Sequence, residues 1–194
     1  MDMDAITEIT PQHPHWPAGL RDLNERMPQR LWVRGATAVL ALPGVALVGS
    51  RASTAQGNVN ARQIADRSGD AGFAVISGLA YGIDAAAHST AVSRQMPTVA
   101  YLATGVDRIY PAGHQDLAQA IVDSGGALVS AYPPGSAALL NVAPGGTVPS
   151  LVATLPLTGV STVVTAWSFT AASTLMLTVA VLQCVWFGLG GQTW

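Results

Sequence analysis

The residues best suited to chemistry in this chain sit in two glycine signatures, Val48-Gly49-Ser50-Arg51 and Ser77-Gly78-Leu79-Ala80-Tyr81-Gly82-Ile83-Asp84. Each follows a short β-like run, 45–48 and 73–76, and each precedes a segment that reads as helix. A strand that ends in glycine just before a helix brings backbone N–H groups close to a phosphate. A third turn of the same kind, Thr104-Gly105-Val106-Asp107, strengthens the expectation of a phosphate-bearing ligand.

The side chains around these turns suggest individual roles. Gly49 and Gly78 lack a Cβ and admit a close ligand. Either alone would serve equally well as a simple turn, and it is their repetition that favours binding. Arg51, two residues past Gly49, can pair bidentately with a phosphate. Ser50 and Ser77 can each offer a hydroxyl to a phosphate or cap the next helix, and for Ser50 the cap is the expected role. Asp84 falls in the first turn of its helix, where a carboxylate suits the positive dipole end; holding a ribose hydroxyl or orienting Arg51 are its other open roles. His88, one turn further on, is placed for a structural contact with Asp84. In Asp107-Arg108-Ile109-Tyr110-Pro111, Tyr110 can stack on a base and Arg108 can meet a phosphate, although an aromatic beside proline also packs loops. The four histidines show no metal-ligand spacing. No serine–histidine–acid set and no pair of carboxylates is placed for hydrolysis.

The elements that must position these residues follow from periodicity. Strands are expected at 45–48, 73–76, 98–102 and 127–130, alternating with helices at about 54–71, 82–94 and 114–124. A short helix is expected over 18–27 and an extended stretch over 31–34. This is the pattern of βαβ units: an α/β, Rossmann-like parallel sheet with helices on both faces. In such a sheet the loops leaving the carboxyl ends of the strands open on one edge, so chemistry scattered along the chain converges there. Strand order is not legible.

Composition narrows the class. The chain has 194 residues and a net charge of −2, which excludes a broadly basic surface. Every basic residue is Arg. A single cysteine, Cys184, excludes an internal disulfide framework and fits a reducing compartment. The acidic start, Met1-Asp2-Met3-Asp4, has no apolar core and is not a secretory signal. All Asp, Glu and Arg residues lie at or before Asp123, whereas an ordinary domain spreads charge over its whole surface. We therefore divide the chain into a lead-in at 1–42, a partial Rossmann-like domain at 43–136 and an uncharged, apolar tail at 137–194.

Taken in order, Val45-Ala46-Leu47-Val48-Gly49-Ser50-Arg51, Ser77 through Ala85-Ala86-Ala87-His88, Gly105-Val106-Asp107-Arg108-Ile109-Tyr110-Pro111 and Tyr132-Pro133-Pro134-Gly135 resemble the DNA-processing protein A (DprA, or Smf) family over about residues 12–136. The resemblance implies a bacterial cytoplasmic protein of recombination and natural transformation. Such a protein binds and protects single-stranded DNA, helps load the RecA recombinase, performs no catalysis and needs no cofactor. It places the DNA pocket on Gly49, Ser50 and Arg51, with Gly105 and the Ile109-Tyr110 region alongside. Oligomeric state, a homodimer included, stays open. A small-nucleotide-binding enzyme or sensor using the same glycine crevice is the alternative.

The tail departs from the family, which continues past Tyr132-Pro133-Pro134-Gly135 with a basic Arg-Asn-Arg-type segment that is absent here. Phosphate neutralisation supplies much of the affinity for nucleic acid, so weakened binding is expected. A shifted reading frame in a GC-rich gene is the first explanation of the tail. The second is a membrane segment at 171–190, long enough to span a bilayer, which would make the chain a tethered, inactive fragment.

Overall fold

The computed structural model describes residues 5–137 and 162–166. The strands are β1 (Ile6–Ile9), β2 (Leu31–Gly35), β3 (Gly44–Gly49), β4 (Ala74–Ser77), β5 (Thr98–Leu102), β6 (Ala127–Ser130) and β7 (Thr162–Ala166). The α-helices are α1 (Ala55–Asp70), α2 (Ile83–Ser93) and α3 (Gln115–Asp123), and 3-10 segments run over Ala18–Arg26, Thr37–Ala41 and Ala112–His114. The strands form one sheet in the order β1-β2-β6-β5-β4-β3-β7. Pairing is parallel from β6 through β7, while β1 with β2 and β2 with β6 are antiparallel.

From β3 to β6 each crossover advances the chain one strand position, always in the same direction. Such crossovers are right-handed, so this walk lays all three α-helices on a single face. The side chains agree. Val45, Leu47 and Val75 pack against Ala65 of α1 and Ala87 and Ala91 of α2, and Ala100, Leu102 and Leu128 pack against Ala118, Ile121 and Val122 of α3. The alternate residues Val48, Ala74, Val99, Tyr101, Ala127 and Val129 line the other face, beneath Trp16, Leu20, Leu23, Val39 and Leu40. Leu47, Val75 and Leu128 are fully buried, each contributing about 1.5–3 kcal/mol over an exposed position.

The α/β, Rossmann-like architecture is as expected, and both faces of the sheet are covered, but unequally. The α-helices take one face and 3-10 segments take the other. The sheet is also mixed rather than wholly parallel, because β2 returns antiparallel beside β6 and brings β1 with it. The segment expected as a helix over 18–27 is 3-10 and breaks at Asn24, where φ is 50°. Residues 5–42 thus share one sheet and one core with 43–136.

After β6 the chain returns to the far side of β3, where β7 pairs from Val45↔Thr162 to Gly49↔Ala166. Strand order therefore reverses at β3. In open α/β sheets the crevice outside the carboxyl ends at such a reversal is where ligands bind. Part of the uncharged tail thus supplies an edge strand. Among the described residues no helix is long and apolar enough to cross a membrane, and the expected membrane segment at 171–190 lies outside them.

Candidate nucleic-acid interface

The turns leaving β3 and β4 are built against each other. Gly82 has φ +78°, and a Cβ there would collide with the carbonyl oxygens of Ser50 and Arg51. The Ile83 N–H donates to the Ser50 carbonyl at 3.3 Å. A residue with a side chain at 82 would force the two turns apart, which is why this approach needs glycine.

Asp84 sits beneath the junction, 4% exposed. Its Oδ2 accepts the N–H of Gly78 at 3.0 Å and of Ala80 at 3.3 Å. Burial pushes its carboxyl above the ordinary carboxylate value, against the opposing pull of the Ala80 and Gly78 N–H groups and a smaller one from Gly49. The N–H groups expected to receive a phosphate at the β4 turn are thus held by the chain's own carboxylate. Asp84 makes no hydrogen bond or ion pair with Arg51, so it does not orient that guanidinium, and it stands in the first turn of α2 as expected.

Ser77 and His88 lie deeper still. The Ser77 hydroxyl is fully buried and donates to the Leu47 carbonyl of β3, so it ties strands together below the crevice floor. The Thr98 hydroxyl donates to the Val75 carbonyl at 2.8 Å, which leaves its oxygen to accept from His88 Nδ1, also at 2.8 Å. His88 is therefore a neutral ring with its proton on Nδ1, and burial lowers its pKa to about 3. Its Nε2 has no hydrogen-bond partner among the described residues. The expected contact between Asp84 and His88 is replaced by separate partners, because Asp84 reaches back to the turn and His88 reaches across to β5.

Ser50 also departs from expectation. The cap of α1 is Thr54, whose Oγ1 accepts the Gly57 N–H at 3.0 Å. Ser50 lies too far upstream and closes its own turn by accepting the Ala52 N–H at 3.2 Å. Beyond it, the Arg51 guanidinium is exposed and makes no ion pair or hydrogen bond among the described residues.

The β5 and β6 loops are pinned together. The Asp107 carboxylate accepts the Gly135 N–H at 2.8 and 2.9 Å, and the Gly105 N–H donates to the Ser136 carbonyl at 3.0 Å. A Cβ on Gly105 would press to 2.8 Å from the Pro133 carbonyl oxygen. Gly105 is buried under the β6 loop and is a crossing point for backbone, not an open floor for a ligand. Thr104 Oγ1 donates to the Arg108 carbonyl at 2.6 Å, Ile109 packs into the α3 cluster, and Arg108 and Tyr110 face solvent.

Of the residues singled out by sequence, Arg51, Arg108 and Tyr110 are exposed on the edge, with Gly49, Ser50 and Gly78 partly open behind them. Ser77, Asp84, His88 and Gly105 are buried, and Asp107, though exposed, is engaged by the Gly135 N–H. Sequence reasoning passed over Tyr81 and Tyr132, which are 48% and 38% exposed on the loops after β4 and β6. Both lie inside motifs already quoted, next to glycine or proline, and that neighbourhood was the available signal.

Fold and edge together define a Rossmann-like α/β protein whose candidate site lies at the carboxyl ends of its parallel strands. Residues 7–144 match the family model of DNA recombination-mediator protein A, and the chain belongs to that family. It is 42% identical over 95 residues to protein Smf of Synechocystis, covering 49% of this chain and 24% of that protein. It is 35% identical over 108 residues to DNA processing protein DprA of Streptococcus pneumoniae, covering 56% and 38% respectively. The solved structure of the Streptococcus pneumoniae DprA superposes with a TM-score of 0.63 at 30% identity, over 72% of this chain and 48% of that one. The fold is also that of DNA processing protein A from Helicobacter pylori, a structure described for its single-stranded DNA binding mode, with a TM-score of 0.57 at 22% identity over 72% of this chain and 62% of that one. The chain spans well under half the length of these curated relatives. The family match runs past 136 to 144.

Proposed function

We propose that this chain binds single-stranded DNA along the carboxyl edge of its sheet. In this reading it acts as a non-catalytic recombination mediator in the cytoplasm, protecting the strand and helping to load RecA during transformation. The observation that carries the proposal is Arg51: an exposed guanidinium with no partner among the described residues, at the strand where the sheet order reverses. Arg108 and Tyr110 stand on the β5 loop of the same edge and would supply a second phosphate contact and a base contact. The names borne by the relatives and the DNA binding described for the Helicobacter pylori protein support the same ligand.

Residues 43–136 carry the interface, and 5–42 buttress it through β2. The tail at 137–194 lacks every charge, so it adds no ionic phosphate contact where the family has a basic segment, and affinity is reduced accordingly. A shifted reading frame remains our account of its origin. Translating the locus in its other frames checks that account: an Arg-Asn-Arg reading is expected, and its absence from all frames overturns it.

Titration with labelled oligo-dT tests the function. Binding is expected to weaken steeply with salt, and Arg51→Ala is expected to lower the slope of log K against log salt by about 0.7, the share of one single-strand phosphate contact. Saturable binding of a mononucleotide that oligo-dT does not displace overturns the proposal in favour of a nucleotide-binding enzyme or sensor.

A further inference from the structure

The three exposed tyrosines of the described residues, Tyr81, Tyr110 and Tyr132, stand on the loops leaving β4, β5 and β6, adjacent strands of one sheet. The remaining aromatic rings of the described body, Trp16, Trp32, Phe73 and Tyr101, are buried or half-buried. Among the described residues, exposed tyrosine, tryptophan and phenylalanine rings are thus confined to the edge that carries Arg51.

Tyr81 is the most exposed of the three, at 48%, yet its ring is held in place. It packs edge-on against His114 with centroids 4.6 Å apart and planes inclined at 70°. His114 is itself fixed, because its Nδ1 donates to the Leu79 carbonyl at 2.8 Å. The Tyr81 hydroxyl passes over Gly113, where a Cβ would come within 2.7 Å of it. On the other side its chain neighbour, Gly82, lies against the Ser50 and Arg51 carbonyls. Tyr81 therefore stands between the Arg51 turn and the β5 loop that bears Arg108 and Tyr110. A ring oriented by packing but left half in water is pre-organised for a flat partner, and little ordering entropy is lost when one arrives.

We infer that Tyr81, propped by His114, is a base-stacking step between the phosphate contacts at Arg51 and Arg108, so that a single strand crosses the edge with one base on this ring. The inference rests on the single-stranded DNA reading above and adds to it a residue and a contact chemistry. Stacking accepts every base, so the step contributes affinity without sequence preference.

The test uses the full chain, titrated with labelled oligo-dT and with an abasic oligonucleotide of the same length. Tyr81→Leu keeps an apolar side chain against His114 but removes the π face, and Tyr81→Phe keeps the ring. Tyr81→Leu is expected to weaken oligo-dT binding about tenfold with an unchanged salt slope, to leave abasic binding as in the wild type, and Tyr81→Phe to bind as the wild type does. Equal oligo-dT binding by Tyr81→Leu and wild type, or an equal loss on the abasic strand, overturns the inference while the DNA-binding reading stands. A wild-type chain that binds no oligo-dT at low salt overturns both. Photocrosslinking of wild type to 5-iodouracil-substituted oligonucleotide gives an answer even where Tyr81→Leu does not fold. The tryptic peptide 68–94 contains Tyr81 as its single tyrosine. Crosslinks on that peptide are expected, and crosslinks confined to other peptides contradict the assignment.

Discussion

The turns that leave β3 and β4 share one design, a strand ending in glycine ahead of a helix, but the structure fills them differently. At the β4 turn the N–H groups of Gly78 and Ala80 close on the Asp84 carboxylate, so the anion this turn was shaped to hold is internal. At the β3 turn Arg51 projects outward with no partner among the described residues. The glycine pattern therefore predicts an anion at both turns and does not say whose. A carboxylate six residues past Gly78, in the first turn of α2, is close enough to be that anion. The β3 turn has no acidic residue between Gly49 and Asp66, and it stays open.

The contrast breaks first at Asp84. Asp84→Ala takes the acceptor from two half-buried N–H donors, and because water reaches them in part, a drop of about 2–3 kcal/mol in unfolding free energy is expected from urea titration. Asp84→Asn keeps an acceptor and should lose much less. The wild-type contribution of Asp84 also depends on pH. Its folded value lies above the ordinary value of 3.8, so the folded state holds the proton more tightly, and stability declines as pH rises from 3.8 through the folded value. In Asp84→Asn that decline is absent.

Gly82→Ala comes next. It forces a side chain into the left-handed region and against two carbonyls, and a loss of about 2 kcal/mol is expected from the conformation alone. If the turns are coupled through this contact, the variant also loses oligo-dT affinity, although residue 82 carries no charge.

His88 gives a smaller and pH-limited effect of the opposite sign to Asp84. Its pKa is depressed to about 3, so its contribution is complete above 6.5 and is lost as pH falls towards 3. Between pH 6.5 and 5 the wild type should lose about 1.6 kcal/mol through this group. His88→Gln should flatten that limb in urea unfolding at the two pH values.

Much of this was legible in the sequence because it is written locally. Apolar runs such as 45–48 and 98–102, each followed by glycine and a helical period, marked the strands β3 to β5, and the apolar run 127–130 marked β6. Arg51 stood out as the only charge near its glycine turn. What depends on distant pairing was not legible. Strand order, and with it the placing of all three α-helices on one face, follows from which strands meet rather than from any one of them. β1 is four residues long with one buried side chain, Ile9, too little alternation to announce a strand. Ser77 and Gly105 look like open turn residues in one dimension. Only the Leu47 carbonyl, thirty residues upstream, and the Pro133 carbonyl across the β6 loop show that they are buried.

The smallest expected change in stability belongs to Arg51→Ala, since an exposed side chain with no partner among the described residues contributes within about 0.5 kcal/mol. That variant is also the most direct test of the division between a turn that holds the fold and a turn that holds a ligand. Its affinity for oligo-dT, measured across a salt series beside its urea midpoint, should fall well below wild type with a shallower salt slope and an unmoved midpoint. Unchanged affinity and slope would contradict the account.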